Sequence, residues 1–227
     1  MKNNILIVGS TSQIATEVVK NLKKTGSNIY SISRKRDDSV SYKNSLTINF
    51  DKINFKKILS NSSFSKIKFS AVLFFNAAQV NSKDSLLTLS NKYIFKILNV
   101  NCLFSVKLIY FLIQKKKLFN NCKIIFFSSR SGSIEERGKL MHHTPNSNHL
   151  YRASKSLLNS FIKNFSFQYK NKFIFASYHP GWVKTKSSGG GKLSVNESAL
   201  NFLKFFKKFD NKSNGKFLDY KFNIIPW

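Results

Sequence analysis

The stretch Ile5-Leu-Ile-Val-Gly9-Ser-Thr-Ser-Gln-Ile-Ala15 begins a pattern that the rest of the chain repeats. Its four consecutive apolar residues predict a short strand that is buried on both faces. Gly9 and the small polar residues after it lead into a segment with helical character, which continues over residues 16–24 and stops at Gly26. A tight turn between a strand and a helix N-terminus offers backbone N–H groups to a phosphate. A turn that binds nothing remains an equal interpretation, because one glycine does not distinguish the two.

Short apolar runs and helical segments alternate along the whole chain. Six further strands are predicted at residues 28–33, 46–50, 66–75, 122–127, 173–178 and 216–220. Helices are predicted at residues 53–59, at 85–117 with a break near Ser90, at 151–169 and at 196–209. This alternation is typical of a parallel, doubly wound sheet with right-handed crossovers. We therefore expect a Rossmann-like α/β fold, and the length of 227 residues predicts one domain over residues 1–227.

The net charge of +28 is far from ordinary and would suit a nucleic-acid or anionic-membrane partner. The lysines, however, are spread from Lys2 to Lys221 instead of forming one block. The chain is also rich in Asn, Ile and Phe, whose codons are rich in A and T, so coding bias is the favoured explanation. We expect no nucleic-acid partner, since no aromatic-basic binding motif accompanies the charge.

The cysteines and the apolar segments bear on redox chemistry and location. Cys102 and Cys122 have neither metal-ligand spacing nor the pattern of a disulfide framework, so no metal site is predicted. The first residues predict a strand and not a signal peptide. The most apolar helical stretch, residues 103–113, is interrupted by Lys107 and is too short to span a bilayer. We expect a cytoplasmic protein with no membrane partner.

The predicted long helix is apolar on nearly all sides around Asn101. A helix of this kind is covered on more than one face. One face is expected to meet the sheet and the other a second subunit, which predicts a homodimer or homotetramer. Asn101 itself is a polar group that needs partners when it is buried.

Tyr151-Arg-Ala-Ser-Lys155 carries the clearest chemical signal. On a helix, residues four apart lie one above the other on the same face. A phenol has an ordinary pKa of about 10, and a nearby ammonium is expected to lower it. The tyrosine could then act as a general acid in carbonyl reduction or a general base in alcohol oxidation. Taken alone, such a pair is a weak signal in a lysine-rich chain and equally describes a solvated helix face.

Two further segments are candidates for binding a dinucleotide. Ser33 and Arg34 end the second predicted strand, where an acidic residue would bind a ribose 2′-hydroxyl and an arginine accommodates a 2′-phosphate. This favours NADP over NAD, although a solvated basic loop is the alternative. Asn76-Ala-Ala78 follows the fourth predicted strand, and its small side chains indicate a close approach to a cofactor or a tightly packed turn.

In their order, these signals resemble the short-chain dehydrogenase/reductase family over nearly the whole chain. Asn101 follows Asn76 by 25 residues, Ser129 ends the fifth predicted strand, and the tyrosine pair precedes Pro180-Gly-x-Val-x-Thr185. Ser128-Ser-Arg130 and the terminal Ile-Pro-Trp227 are similar to the C-factor and Sniffer-type carbonyl reductase subgroup.

The resemblance implies roles for individual residues. Tyr151 would be the proton donor, Ser129 would hydrogen-bond the substrate oxygen, and Lys155 would bind the nicotinamide ribose and lower the pKa of Tyr151. Asn101 would hold a water molecule that links Lys155 to solvent. The implied cofactor contacts are Gly9, Ser10, Thr11, Ser12, Gln13, Ile14, Ser33, Arg34, Asp51, Asn76, Ala77, Ala78, Tyr151, Lys155, Pro180, Gly181, Val183 and Thr185.

The chain departs from the family pattern in four places. Ala15 stands at the third glycine of the phosphate turn, which is tolerable because that glycine serves helix packing. Gln13 stands where the second glycine of the phosphate turn is usual. Its side chain is expected to weaken cofactor binding or to shift the position of the cofactor. Ala78 replaces a glycine, which is a milder change. Ser129 and Tyr151 are separated by 22 residues, more than is usual, so residues 133–150 are expected to be a substrate loop. Residues 186–195 are expected to form a second substrate loop. The Gly/Ser-rich residues 187–192 are predicted to be mobile, and the histidines of the first loop to lie at the surface.

These observations leave an enzyme and a binding protein as the main hypotheses. The first is an NADP(H)-dependent oxidoreductase acting on a small carbonyl or alcohol substrate. The alternative is a non-catalytic or weakly active nucleotide-binding regulatory protein on the same fold, which the altered glycine turn favours. A nucleic-acid-binding module rests on charge alone.

Overall fold

A computed structural model describes residues 3–50, 55, 58, 60–80, 86–139, 148–186, 188 and 190–227. The strands are β1 (Asn4–Val8), β2 (Asn28–Ser33), β3 (Ser45–Thr47), β4 (Phe69–Phe74), β5 (Leu118–Phe127), β6 (Phe173–His179) and β7 (Lys216–Asp219). The α-helices are α1 (Gln13–Lys24), α2 (Ser62–Ser65), α3 (Asn91–Leu98), α4 (Phe104–Gln114), α5 (His149–Gln168) and α6 (Val195–Lys208). A π-helical turn, Asn99–Leu103, joins α3 to α4.

The seven strands form one parallel sheet in the order β3-β2-β1-β4-β5-β6-β7. The chain therefore moves outward from β1 to one edge, returns to β4 beside β1, and continues to the other edge. The reversal between β1 and β4 places a crevice at their carboxyl ends, which is where doubly wound sheets bind ligands. The predicted α/β fold with a doubly wound parallel sheet is confirmed.

Each face of the sheet is covered by a separate apolar core. On one face, α1 and α6 pack through residues such as Val18, Leu22, Phe202 and Phe205. On the other face, α4 and α5 pack through Leu108, Leu112, Leu158 and Ile162. Strands buried on both sides explain why their sequences are continuous apolar runs and not alternating ones.

The predicted elements are present with shifted bounds. β3 is two residues shorter than expected, β4 begins at Phe69, and β5 begins at Leu118, before the apolar run that predicts it. Helix α5 begins at His149, two residues before Tyr151. The predicted helix at residues 53–59 lies mostly outside the described residues, as do Asp51 and residues 140–147 of the first substrate loop.

The long helix begins directly after Ser90, where a break was predicted, and ends three residues before the predicted bound at residue 117. Asn91–Gln114 is continuous over 24 residues and is long and apolar enough to cross a membrane. The expectation that the apolar stretch is too short is therefore wrong, because the π-helical turn continues it. However, 56% of its most apolar window is buried inside the molecule, as in the core helix of a globular protein.

Helix α5 explains much of the all-round apolar character of this helix. It packs against α3 and the π-helical turn, while α4 faces the sheet. The second covered face is therefore largely accounted for within one subunit. Phe95 and Tyr110 remain exposed on this helix, and the homodimer or homotetramer stays a prediction.

Candidate active site

The turn after β1 is shaped by the close approach of two strand ends. Gly9 has a φ of +77°, and a Cβ atom there would lie 2.7 Å from the backbone nitrogen of Asn76. Asn76 follows β4 and is itself fixed, because its side-chain amide donates to the Val100 carbonyl at 2.6 Å and to Ser105 at 2.9 Å. Both the contact and the positive φ require glycine at this position. Asn76 therefore packs against Gly9 and stabilises the turn.

The polar residues after Gly9 lead into α1. Ser12 caps the helix, since its hydroxyl accepts from the Ala15 amide at 3.3 Å. The first turn of any helix leaves N–H groups without intrahelical partners, and its dipole favours an anion. Ser10 is fully buried, and its hydroxyl has no hydrogen-bond partner among the described residues. An unsatisfied hydroxyl beside an open helix N-terminus fits a ligand with phosphate oxygens.

Gln13 does not point its side chain along the turn. Its Oε1 accepts a hydrogen bond of 2.8 Å from the backbone N–H of Lys186, in the segment that follows β6. Both residues line the large cleft described below. The glutamine that replaces the usual glycine thus ties the phosphate turn to the opposite wall of the cleft.

A cleft of about 1530 Å³ opens at the carboxyl ends of the strands. It exceeds the usual 300–1,000 Å³ of a ligand pocket and is roomy enough for a dinucleotide and a substrate together. Twelve predicted residues line it: Thr11, Ser12, Gln13, Ile14, Ala77, Ser129, Tyr151, Lys155, Pro180, Gly181, Val183 and Thr185. Gly9, Ser10, Ser33, Arg34, Asn76, Ala78 and Asn101 are described but do not line it.

Ser129, Tyr151 and Lys155 converge in this cleft from β5 and α5. The Ser129 hydroxyl lies close enough to the Tyr151 hydroxyl to favour its ionised form. The Lys155 ammonium lies 5.9 Å from the centroid of the Tyr151 ring and donates to the Phe127 carbonyl at 2.9 Å. The three groups that were predicted to act together are therefore adjacent.

Burial controls the pKa values of these groups. It lowers the pKa of Lys155 to about 8, because the side chain is 1% exposed and its charge is poorly solvated. Burial raises the pKa of Tyr151 above its ordinary value, and the Ser129 hydroxyl opposes that rise. The prediction of a lowered tyrosine pKa is wrong for this structure, since desolvation is its largest influence. The phenol is accordingly protonated at neutral pH.

Asn101 lies behind the cleft, in the π-helical turn, where the Phe104 amide donates five residues back to Asn99. Its side-chain amide donates to the Ala78 carbonyl at 3.0 Å and to the Ser154 hydroxyl at 2.9 Å, and its oxygen accepts from the Ala78 amide at 2.6 Å. These partners satisfy the buried polar group that the sequence predicted. Asn101 therefore ties the end of β4 to α5, and π turns of this kind are frequent at functional sites.

The segment after β6 is folded back on itself. Val183 and Leu193 form an isolated bridge. The Ser188 hydroxyl oxygen lies 2.7 Å from both the Val183 and the Gly190 carbonyl oxygens, and either can accept its one proton. Gly191 allows this fold, because a Cβ atom there would lie 2.2 Å from the Lys184 nitrogen. Of the residues predicted to be mobile, Ser188, Gly190 and Lys192 are hydrogen-bonded within the segment.

At the adenosine end, Ser33 and Arg34 take different positions. Ser33 is fully buried, and its hydroxyl donates to the Lys35 carbonyl of its own chain. Arg34 is exposed, and its guanidinium lies 5.8 Å from the centroid of the Phe50 ring. Arg34 is available to a ligand, whereas the Ser33 hydroxyl is already engaged.

Several cleft residues were not predicted from the sequence. Arg130 forms ion pairs with Glu136 at 3.2 Å and with Asp219 at 3.8 Å. Asp219 ends β7 and also accepts from the backbone N–H groups of Lys221 and Asn223. Trp182 lines the cleft with 58% of its surface exposed. The rule that ligands meet the carboxyl ends of parallel strands could have indicated the end of β7.

Among the described residues, no group of three His, Cys, Asp or Glu side chains is close enough to hold a metal ion. The predicted surface histidines, His142 and His143, lie outside the described residues, and His149 begins α5.

No protein-family model matches the chain. The sequence is 29% identical over 92 residues to the C-signal of Myxococcus xanthus, a match that covers 40% of this chain and 55% of that protein. It is 32% identical over 114 residues to an uncharacterised oxidoreductase of Saccharomyces cerevisiae, with 43% and 42% of the two chains covered. The chain thus matches about half the length of its curated relatives.

Solved structures match over the full chain. The carbonyl reductase Sniffer of Drosophila melanogaster superimposes with a TM-score of 0.82 at 22% identity, with both chains covered completely. A short-chain dehydrogenase/reductase of Burkholderia multivorans with bound NADP gives 0.84 at 18% identity, again with both chains covered completely. The NADPH-bound carbonyl reductase from chicken fatty liver gives 0.80 at 18%, covering 100% of this chain and 94% of that one. The predicted resemblance is confirmed, and the chain has the short-chain dehydrogenase/reductase fold.

Proposed function

We propose that this protein is an NADP(H)-dependent oxidoreductase that interconverts a small carbonyl compound and its alcohol. The observation that carries the proposal is the meeting of Ser129, Tyr151 and Lys155 in one cleft beside an open helix N-terminus. The relatives named as oxidoreductases and the NADP-bound neighbours of the same fold support it. The proposal treats residues 1–227 as one cytoplasmic catalytic domain.

In the reduction direction, the Tyr151 hydroxyl donates its proton to the substrate oxygen. Because burial raises the tyrosine pKa, the phenol carries that proton at neutral pH. The Ser129 hydroxyl, which lines the same cleft as Tyr151, binds the same oxygen and stabilises the charge that develops there. Lys155 holds its positive charge beside the phenol, and this favours the phenolate once the proton has left.

The cofactor residues form two groups. The diphosphate would be held by the N-terminal turn of α1, from Gly9 to Ile14, and the nicotinamide by Pro180–Thr185 together with Lys155. A bound nicotinamide cofactor supplies or accepts the hydride. Asn76, Ala77 and Ala78 would lie along its middle, and Asp51 at its adenine. The water link through Asn101 stays part of the proposal, although the side chain itself is engaged with Ala78 and Ser154.

Arg34 would select NADP over NAD by binding the 2′-phosphate. The test is a titration of the purified protein with NADPH and with NADH, followed by nicotinamide fluorescence. Arg34→Ala should weaken NADPH binding by about 10-fold, the value of a charge-assisted hydrogen bond, and leave NADH binding unchanged. Arg36→Ala is the matched control, because the Arg36 guanidinium pairs with Asp38 at 2.8 Å. Failure to bind either cofactor would overturn the proposal.

A nucleotide-binding regulatory protein is the second candidate. The bond between Gln13 and Lys186 favours it, because this bond crosses the cleft beside the phosphate turn. Tight NADPH binding without turnover of any aldehyde or ketone in a broad panel would select this candidate.

A further inference from the structure

Asn159 is a buried polar residue beside the catalytic groups that has no part in the proposed chemistry. It lies one turn after Lys155 on α5 and is 3% exposed. Its Oδ1 accepts from the Ser128 hydroxyl at 2.7 Å and from the Ser177 hydroxyl at 2.9 Å. Its Nδ2 donates to the Gly132 carbonyl at 3.2 Å. One side chain therefore joins the ends of β5 and β6 and the turn that follows β5.

The orientation of this carboxamide is determined by its surroundings. The Gly132 carbonyl can only accept a hydrogen bond, so the NH₂ group of Asn159 must face it. The oxygen then faces the hydroxyls of Ser128 and Ser177, which can both donate. Ser128 and Ser177 are 5% and 0% exposed, so water does not replace these bonds.

Two of the three partners flank Ser129. Ser128 precedes it, and Gly132 ends the short 3₁₀ turn that Ser129 begins. Inside this turn the Gly132 amide donates to the Ser129 carbonyl at 2.7 Å, and the Ser131 amide donates to the Ser129 hydroxyl at 3.2 Å. The turn is also pressed against α5, since a Cβ atom on Gly132 would lie 2.8 Å from the Lys155 Cβ.

We propose that Asn159 is a positioning residue that sets the Ser129 hydroxyl relative to Tyr151 by holding both ends of the Ser129 turn. The inference rests on the proposed function, because it concerns the serine to which that function assigns the substrate oxygen. It adds a third position on α5 to the site, after Tyr151 and Lys155.

The consequence for catalysis follows from the geometry. A serine that shifts by a fraction of an ångström changes both its contact with the substrate oxygen and its position relative to the Tyr151 hydroxyl. Misplacement on the scale of 1 Å can cost about 100-fold in rate. The Ser129 hydroxyl opposes the rise of the tyrosine pKa, so moving this hydroxyl away raises that pKa further. Because reduction needs protonated Tyr151, the fall in rate at high pH then moves to higher pH.

The test uses Asn159→Ala in the full chain, with NADPH and an aldehyde that the wild-type protein reduces. We expect kcat to fall by about 10-fold or more, the basic limb of the pH profile to move upward, and NADPH binding to change less than 2-fold. In a Ser129→Ala background the same substitution should change kcat less than 2-fold, because it acts through Ser129. Unchanged kcat, or an equal loss in both backgrounds, would overturn the inference.

Two milder variants, which each remove one hydrogen bond to Asn159, test the same role if Asn159→Ala does not fold. Ser128→Ala removes one of the two hydrogen bonds that flank Ser129. It should lower log kcat by about half as much as Asn159→Ala does. Ser177→Ala removes a bond of similar length to the same oxygen, but from β6, and should leave kcat within 2-fold of wild type. Equal losses in the two serine variants would contradict the positioning role.

A measurement without turnover separates this inference from the proposed function. If the wild-type protein binds NADPH but reduces no carbonyl compound, the proposed function fails on that result alone. The Ser131 and Gly132 amides still report the Ser129 turn by hydrogen exchange. They should exchange at least 10-fold faster in Asn159→Ala than in Ser177→Ala, and equal rates would overturn the assignment of Asn159.

Discussion

At the scale of single residues, the buried charge of Lys155 lowers the stability of the folded protein. Its ammonium is buried beside Tyr151, with the Phe127 carbonyl as its hydrogen-bond acceptor. Because burial lowers its pKa to about 8, the charged form is less favourable in the folded protein than in the unfolded chain. Such a residue is expected at a site where function opposes stability.

Replacing this lysine should therefore stabilise the apoprotein at neutral pH. We expect Lys155→Met to raise the free energy of unfolding by about 1–2 kcal/mol at pH 7, after allowing for the unpaired Phe127 carbonyl. This corresponds to a rise in Tm of roughly 2–8 °C for a chain of this size. The penalty is fully present below pH 8 and is lost as the pH rises toward the lysine pKa of the unfolded chain, about 10.4. The gain in Tm should therefore shrink between pH 8 and 10.

Thermal melts followed by circular dichroism at pH 7 and pH 10 measure this effect. Lys107→Met, at an exposed position on α4, is the matched control and should leave Tm nearly unchanged at both pH values. A gain in Tm for Lys155→Met that does not depend on pH would show that packing, and not desolvation of the charge, is responsible.

At the scale of elements, one hydrogen bond joins the first residue of α1 to the segment after β6. It exists because Gln13 replaces a glycine, and it uses the backbone N–H of Lys186. If NADP(H) binds in the cleft, this bond closes over the cofactor and should slow its exchange.

Gln13→Ala should accordingly increase the dissociation rate of NADPH by about 3- to 10-fold, the effect of losing one hydrogen bond of about 1 kcal/mol. Stopped-flow fluorescence measures the rate directly. Lys186→Ala is the control, because it changes the side chain but keeps the N–H group that Gln13 binds. A dissociation rate that responds to Lys186→Ala and not to Gln13→Ala would contradict the role of this bond.

The elements also show what could be predicted from the sequence and what could not. The strands, the carboxyl-end turns and the Tyr151–Lys155 helix were accessible, because hydrophobic runs and residue spacing are local properties. The partners of Asn101, the bond of Gln13 and the ion pair of Arg130 with Asp219 were not, because each joins segments far apart in the sequence. The raised tyrosine pKa was missed for the same reason, since burial depends on the complete fold.

At the scale of the whole molecule, the sheet brings residues from distant parts of the chain to one cleft. The lysines, in contrast, are spread along the sequence from Lys2 to Lys221. The net charge of +28 should produce only weak, non-specific binding to duplex DNA. We expect a Kd of about 1 μM or weaker at 150 mM salt by fluorescence anisotropy with a 20-base-pair duplex. Nanomolar binding that weakens steeply with salt would contradict this expectation and revive a nucleic-acid function.

If Ser129, Tyr151 and Lys155 together carry out carbonyl reduction, the protein oxidises NADPH in the presence of a carbonyl substrate. The absorbance at 340 nm measures this with a panel of aldehydes and ketones. The wild-type protein should consume NADPH with at least one substrate. Tyr151→Phe should lower kcat by about 100-fold or more, since it removes the proton donor, and keep NADPH binding within about 2-fold of wild type. Equal turnover by wild type and Tyr151→Phe would contradict the account.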